Sequence, residues 1–171
     1  MQNLSRFKER IERARSVFED FSPIIPEPEV LKKGMEEGKP FYSILGLTQD
    51  KLNEYYKKAS DLFYKEEYEK SSDAFYFLSS LHPTHPHYWL GLGLSEQKCG
   101  EYHAALMAYG MASMYDVENP LSYYQAAKCY LEIEDKENAS HSLKLALSFS
   151  ENNPALQGRC NDLLRIMDRR I

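Results

Sequence analysis

The stretch "LHPTHPHYWLGLG", residues 81–93, sets His82, His85 and His87 within six positions, the one dense group of imidazoles in the chain. Imidazoles at such spacing could ligate zinc, which takes four N, S or O donors in a tetrahedral array. Pro83 and Pro86 interrupt them, however, and no cysteine or acid stands close by in sequence to complete a shell. Nucleophilic or nucleotide chemistry fares no better. "GLGLSE" at 91–96 lacks the third glycine of a dinucleotide loop and follows no strand pattern, and the residues around Ser95 form no nucleophile elbow. No histidine–acid–nucleophile set converges. The expectation is a protein without catalysis, metal or cofactor.

What positions these residues is an internal repeat. Residues 52–85, 86–119 and 120–153, aligned without gaps, share a register of 34 positions. The fourth position reads Tyr55, Trp89, Tyr123, and the eighth is small each time as Ala59, Gly93, Ala127. The sixteenth is acidic: Glu67, Glu101, Asp135. The twentieth reads Ser71, Ala105, Ala139, the twenty-fourth Phe75, Tyr109, Leu143, and the thirtieth Leu81, Tyr115, Phe149.

This register resembles the tetratricopeptide repeat, W-x-x-L-G-x-x-Y followed by A-x-x-x-F and a proline. The middle copy matches best, through Trp89, Leu92, Gly93, Gly100, Tyr102, Ala105, Tyr109 and Ala112. Glu96 replaces the usual aromatic, and the first copy carries Glu66 at the turn glycine and Ser71 and Leu78 at small sites. Each copy is then two antiparallel helices. Small residues let them approach, and large ones fill the gaps between neighbours. The histidines fall at the joint between one pair and the next. Pro86, Pro120 and Pro154 each open the following helix, where a missing N–H costs nothing. The joint outweighs the metal site.

Composition agrees with an all-α chain. Valine occurs only at 17, 30 and 117, among many Ala, Leu, Glu and Lys. At 171 residues and 43% hydrophobic, the chain is long enough for one core but not for two ordinary domains. A net charge of −5 disfavours nucleic acid. Cysteines at 99, 129 and 160 suit neither a disulfide framework nor zinc, and read as buried thiols in a reducing compartment. No signal peptide and no stretch of about 18 apolar residues is evident, so a soluble cytoplasmic protein without direct membrane binding is expected.

The flanks complete the architecture. Leu4, Phe7, Ile11, Ala14, Phe18 and Phe21 make a narrow helical seam. Two readings stand: a helix that covers its own repeat array, or a dimerisation helix using Leu4, Phe7, Ile11 and Phe18. "SPIIPEPE" at 22–29 is a linker that changes direction. Gly46 ends a short helical turn, and Thr48 with Asp50 signals the start of the next helix. After Asn153, a final helix presents Leu156, Cys160, Leu163, Leu164, Met167 and Ile171 to the third copy. The expected fold is an all-α tetratricopeptide-repeat solenoid of three helix pairs. Residues 1–51 form an amino-terminal helical extension, 52–153 the repeats and 154–171 a carboxy-terminal capping helix.

In such a solenoid, positions 2, 5, 9 and 12 of each first helix share the concave face. The resulting peptide-binding set is Tyr56, Ser60, Phe63 and Tyr64 in the first copy, with Asn53 at its head. His87, Leu90, Leu94 and Gln97 follow in the second copy, and Leu121, Tyr124, Lys128 and Leu131 in the third. The trough is apolar and aromatic. Lys128 is its one positive group, which disfavours a carboxylate clamp and suits an extended apolar segment. Own-chain cover by the amino-terminal segment is the alternative.

Three stretches carry a narrower likeness: "YWLGLGLSEQKCGEYHAALMAY", "DVENPLSYYQAAKCYL" and "GKPFYSILGLTQDKLNEYYKKA". Together they resemble the class II chaperones of type III secretion, the LcrH/SycD-like translocator chaperones, over roughly residues 35–150. The resemblance implies a bacterial cytoplasmic chaperone that keeps hydrophobic translocator proteins soluble before secretion. It also implies a groove that takes an extended, proline-containing client segment, and an amino-terminal helix that commonly makes a homodimer. Of three groove aromatics on the first repeat, it carries over Tyr56 and Phe63; the third position is Ser60. The competing reading is a generic tetratricopeptide scaffold joining folded partners.

Overall fold

Helix punctuation is written into the sequence, and the backbone obeys it. The computed structural model describes residues 9–10, 12–14, 16–18 and 26–168, which are helices and short connections with no strand among them. After helical turns within 9–17 come α1 (Pro28–Glu36), α2 (Phe41–Ile44), α3 (Gln49–Tyr64), α4 (Tyr68–Leu81) and α5 (Pro86–Lys98). They are followed by α6 (Tyr102–Tyr115), α7 (Pro120–Glu132), α8 (Lys136–Ser148) and α9 (Pro154–Asp168). Pro86, Pro120 and Pro154 stand first in α5, α7 and α9 as expected. Thr48 Oγ1 accepts from the Lys51 amide at 3.2 Å, Asn119 Oδ1 from Leu121 at 3.1 Å and Asn153 Oδ1 from Leu156 at 3.1 Å. These caps satisfy donors that the first helical turn leaves without partners. The repeated acid caps in only one of its three copies: Asp135 Oδ1 accepts from Asn138 at 3.1 Å, whereas Glu67 and Glu101 make no side-chain cap.

The turn inside each hairpin is the same object three times. Glu66, Gly100 and Glu134, at the fifteenth position, have φ of 63°, 81° and 61°. In each, the left-handed residue donates to the carbonyl three back and its successor to the carbonyl five back, as in Glu67 to Leu62 at 3.0 Å. That is the Schellman closure of a helix end. Only the middle copy uses glycine, so the other two hold a left-handed residue that carries a Cβ.

The chain divides into two compact units, between Leu92 and Gly93 within α5. The first unit is built on Leu52, Tyr55 and Ala59 of α3, packed with Ala74, Phe75, Leu78 and Leu81 of α4 and Tyr88 of α5. Ser71, at a normally small site, is accommodated because its hydroxyl donates to the Ala59 carbonyl at 3.0 Å, a bond from α4 to α3. The described amino-terminal residues lie on this unit. Ala14 and Phe18 are buried, and the Phe18 ring sits 4.3 Å from Tyr55 and 5.5 Å from Phe77. Arg13 Nε donates to Asp73 at 2.6 Å, Arg10 Nε lies 3.1 Å from the same carboxylate, and Arg10 also bonds Ser72. The Arg10 guanidinium stacks over Tyr76 at 4.2 Å. Phe18 therefore packs into the core of its own chain; Leu4, Phe7, Ile11 and Phe21 lie outside the described residues.

The second unit holds Ala105, Ala108, Tyr109 and Ala112 of α6, with Ala127 and Cys129 of α7 and Ala139, Leu143 and Ala146 of α8. Helix α9 covers it as expected. Leu156 and Cys160 join Ala127, Leu143 and Ala146 in one cluster, with Leu163, Leu164 and Met167 packed against it; Ile171 lies outside the described residues. The thiols divide. Cys129 and Cys160 are buried, but Cys99 is exposed, contrary to the expectation of three buried thiols. It follows the last residue of α5, where a turn faces solvent. Burial pushes the Cys129 thiol up to about 11, which keeps it protonated and inert.

Candidate peptide-binding faces

Aromatic residues at helical spacing are usually core, so exposure decides whether the inner-face residues of α3, α5 and α7 are free to bind. In the first unit, Tyr56 is 38% exposed and Tyr64 82% exposed, while Ser60, Phe63 and Leu90 are half-buried. Their neighbours on the same helices, Leu52, Tyr55, Ala59 and Tyr88, are at most 1% exposed. The helix period therefore splits core from face within single turns.

The Tyr56 ring stands on a built platform. It meets Phe75 edge-on at 5.8 Å and Tyr88 at 5.9 Å. Phe75 is close because residue 91 has no side chain: a Cβ there would stand 2.4 Å from the Phe75 ring. Phe63 lies edge-on to Tyr64 at 6.1 Å and to Tyr68 at 5.4 Å. Ser60, where a third aromatic is usual in the resembled family, turns its hydroxyl back to the Tyr56 carbonyl at 2.9 Å. It therefore presents no free donor. Asn53 is exposed and accepts from Gln49 at 3.2 Å, and His87 is exposed.

In the second unit Leu94, Gln97, Leu121, Tyr124, Lys128 and Leu131 are all half-buried. Gln97 is partly committed to structure: its Oε1 accepts from the buried Tyr109 hydroxyl at 2.7 Å. Burial raises the Tyr109 phenol far above its ordinary range, so it stays a donor. Lys128 sits 5.9 Å from the Tyr124 ring and donates to Gln125 at 3.3 Å. Tyr124 also packs against the α9 cluster, so only part of its ring is available. The two sets belong to different units.

The rings of the histidine joint pack on one another and on Tyr88. Among the described residues no group of three His, Cys, Asp or Glu could hold a metal. Sequence reasoning missed a signal here. Trp89 Nε1 donates to the Pro83 carbonyl at 2.6 Å, and Tyr123 OH donates to the Val117 carbonyl at 3.0 Å. The fourth-position aromatic thus ties itself to the joint before it in two successive copies. The repeated spacing of six residues across each joint was visible, but the bond was not.

The fold is shared by solved proteins. A type III secretion complex from Aeromonas hydrophila matches at a TM-score of 0.77 and 21% identity, over 84% of this chain and 97% of that one. SycD of Yersinia enterocolitica matches at 26% identity over 72% of this chain and 96% of its own, with a TM-score of 0.69 for its complex with a peptide of the translocator YopD and 0.70 for an alternative dimer. PcrH, known from Pseudomonas aeruginosa, matches in complex with the chaperone-binding region of PopD at 26% identity, over 73% of this chain and 96% of that one, with a TM-score of 0.71. The chain's structural neighbours are class II translocator chaperones of type III secretion. The architecture is theirs, an all-helical tetratricopeptide-like repeat. No family model matches the chain, and no curated protein matches it. The neighbours are chaperones, not enzymes, and among the described residues no helix is long and apolar enough to cross a membrane.

Proposed function

We propose that this chain is a chaperone for type III secretion translocators, holding an extended apolar client segment on the exposed faces of its first helices. The observation that supports it most is the match to SycD over nearly all of SycD's length, because SycD is known with a peptide of the translocator YopD. The residues agree with this reading. Tyr56, Phe63, Tyr64 and Leu90 give the first unit an apolar face, and Leu94, Leu121, Tyr124 and Leu131 give one to the second. Lys128 is the single cation among them, so the client is apolar and uncharged where it binds. Each anchor contributes about 1.5–3 kcal/mol when fully buried.

On this reading the protein works in the bacterial cytoplasm and performs no catalysis. It shields surface that would otherwise aggregate or enter a membrane too early. A proline-containing extended segment suits the faces because it fixes its own backbone and loses little entropy on binding. Leu4, Phe7 and Ile11 are the proposed contacts with a second copy. A generic scaffold would prefer a folded surface or a charged tail, and neither suits these faces.

The test is co-expression with an untagged candidate translocator, followed by purification on a tag carried by this chain. Co-purification of soluble translocator is expected. Translocator that stays insoluble with and without this chain would refute the assignment.

A further inference from the structure

We propose that the imidazoles of the joint between α4 and α5 form a proton-responsive positioning device for Tyr56, so that mild acid loosens the grip on the client. This rests on the reading above that Tyr56 binds client. His82 caps the end of α4, and its carbonyl accepts from the His85 amide at 3.1 Å; the His85 carbonyl accepts in turn from the Tyr88 amide at 3.2 Å. This turn brings the rings together. His85 stacks on Tyr88 at 4.1 Å and 11°, while His82 meets His85 edge-on at 5.4 Å. His87 approaches His85 at 5.6 Å, and Tyr42 of α2 approaches His82 at 5.0 Å. Tyr88 then touches Tyr56 at 5.9 Å. A continuous line of ring contacts runs from His82 through His85 and Tyr88 to the client face.

The surroundings suit neutral rings and not charged ones. The titratable groups that face the joint are Tyr42 from α2, Tyr56 from α3, and His87 and Tyr88 from α5. Among the described residues, the charged partners acting on His85 are His82 and His87, and no carboxylate acts on it. Neither the His82 nor the His85 Nδ1 finds a hydrogen-bond partner on another described residue. A cation on His85 would gain something from the Tyr88 face. Burial alone makes His82 hold its proton less tightly than an ordinary histidine, and burial together with the neighbouring imidazoles does the same for His85. The sign follows from linkage. The folded joint prefers neutral rings, so its stabilisation is complete above the ordinary histidine range. It is lost as the pH falls through the lowered folded values. Protonation places like charges side by side under Tyr88 and releases the platform on which Tyr56 rests.

Two measurements on the full chain separate this inference from the functional reading. Without client, hydrogen-exchange protection over residues 78–92 is compared at about pH 7.5 and about pH 5.5, spanning the histidine range. Protection there is expected to fall selectively in the parent and to persist in His85→Phe, which keeps the stack but cannot charge, and in His82→Gln/His85→Phe. Equal protection in the parent at both pH values overturns the proposal. With the PopD chaperone-binding region as probe, calorimetry should show the parent's affinity falling about tenfold between the two pH values, and that of His85→Phe by less than about threefold. Equal pH dependence in parent and variant overturns the link to Tyr56. A peptide that binds at neither pH counts against the functional reading, while the exchange arm still decides the proton response. Should the double variant not fold, His85→Phe alone carries both arms.

Discussion

A Cβ on Gly93 would stand 2.5 Å from Cε1 of Tyr109. The ring cannot retreat, because it is 1% exposed and its hydroxyl is held by Gln97 at 2.7 Å. Gly93→Ala should therefore overpack the second unit and cost about 1–3 kcal/mol in chemical denaturation. Gly110, also in a helix but with open space around it, is the control and should tolerate alanine.

Tyr56→Ala combined with Phe63→Ala removes two anchors from a face that is not core. Capture of a translocator peptide should weaken by at least about a hundredfold, read by calorimetry, since each ring contributes about 1.5–3 kcal/mol. Helicity by circular dichroism should be unchanged. Undiminished binding would mean that the client sits elsewhere.

Glu66 and Glu134 occupy the left-handed position that Gly100 fills without strain. Glu66→Gly and Glu134→Gly should each stabilise by about 0.5–1 kcal/mol, the left-handed penalty less the extra freedom of glycine in the unfolded chain. The reverse change, Gly100→Ala, should destabilise by about 1 kcal/mol. Denaturant midpoints read all three.

Asp73 is buried and gathers both Arg13 and Arg10. Its carboxylate, hydrogen-bonded to Arg13, holds that guanidinium's proton more tightly than usual. Asp73→Ala should detach the amino-terminal segment and expose Phe77, making that segment the first site cut in limited proteolysis. The stability cost is about 1–2 kcal/mol, discounted because Arg13 is largely solvated.

Asp135 is the one repeat acid that caps its helix, and its contacts with Asn138 hold the carboxyl below the usual carboxylate range. Asp135→Ala should lower the melting temperature by roughly 2–4 °C at neutral pH. The stabilisation is present above the unfolded value and lost as the pH falls through the lowered folded one, so parent and variant should converge in acid. Glu101→Ala, which removes no cap, should leave the melting temperature at neutral pH unchanged.

Much of the fold was legible because its grammar is local. Proline at a helix start, an Asn or Thr cap and a small residue at the eighth position each act within one or two turns, so their spacing survives in one dimension. The fifteenth position misled for the same reason. Glutamate there reads as a departure from the repeat, yet the backbone takes the left-handed turn regardless, because the Schellman bonds outweigh the cost of a Cβ. The inner-face residues were named from periodicity, and the structure leaves none of the twelve buried. Gln97 and part of Tyr124 proved to serve their own unit as well, through partners on other helices that periodicity does not reveal.

By itself the sequence determined where helices begin and end and which stripe of each is apolar, since propensity, capping and period are properties of neighbouring residues. Tertiary structure alone decided what each stripe meets. Phe18 belongs to the same seam as Leu4, Phe7 and Ile11, which left a partner helix and self-cover equally open, and only packing beneath Tyr55 and Phe77 settled its place. His85 and Tyr56 lie 29 residues apart, and no period joins them. Their connection exists because α5 returns beside α3 and brings Tyr88 between them, a proximity set by chain folding and not by chain order.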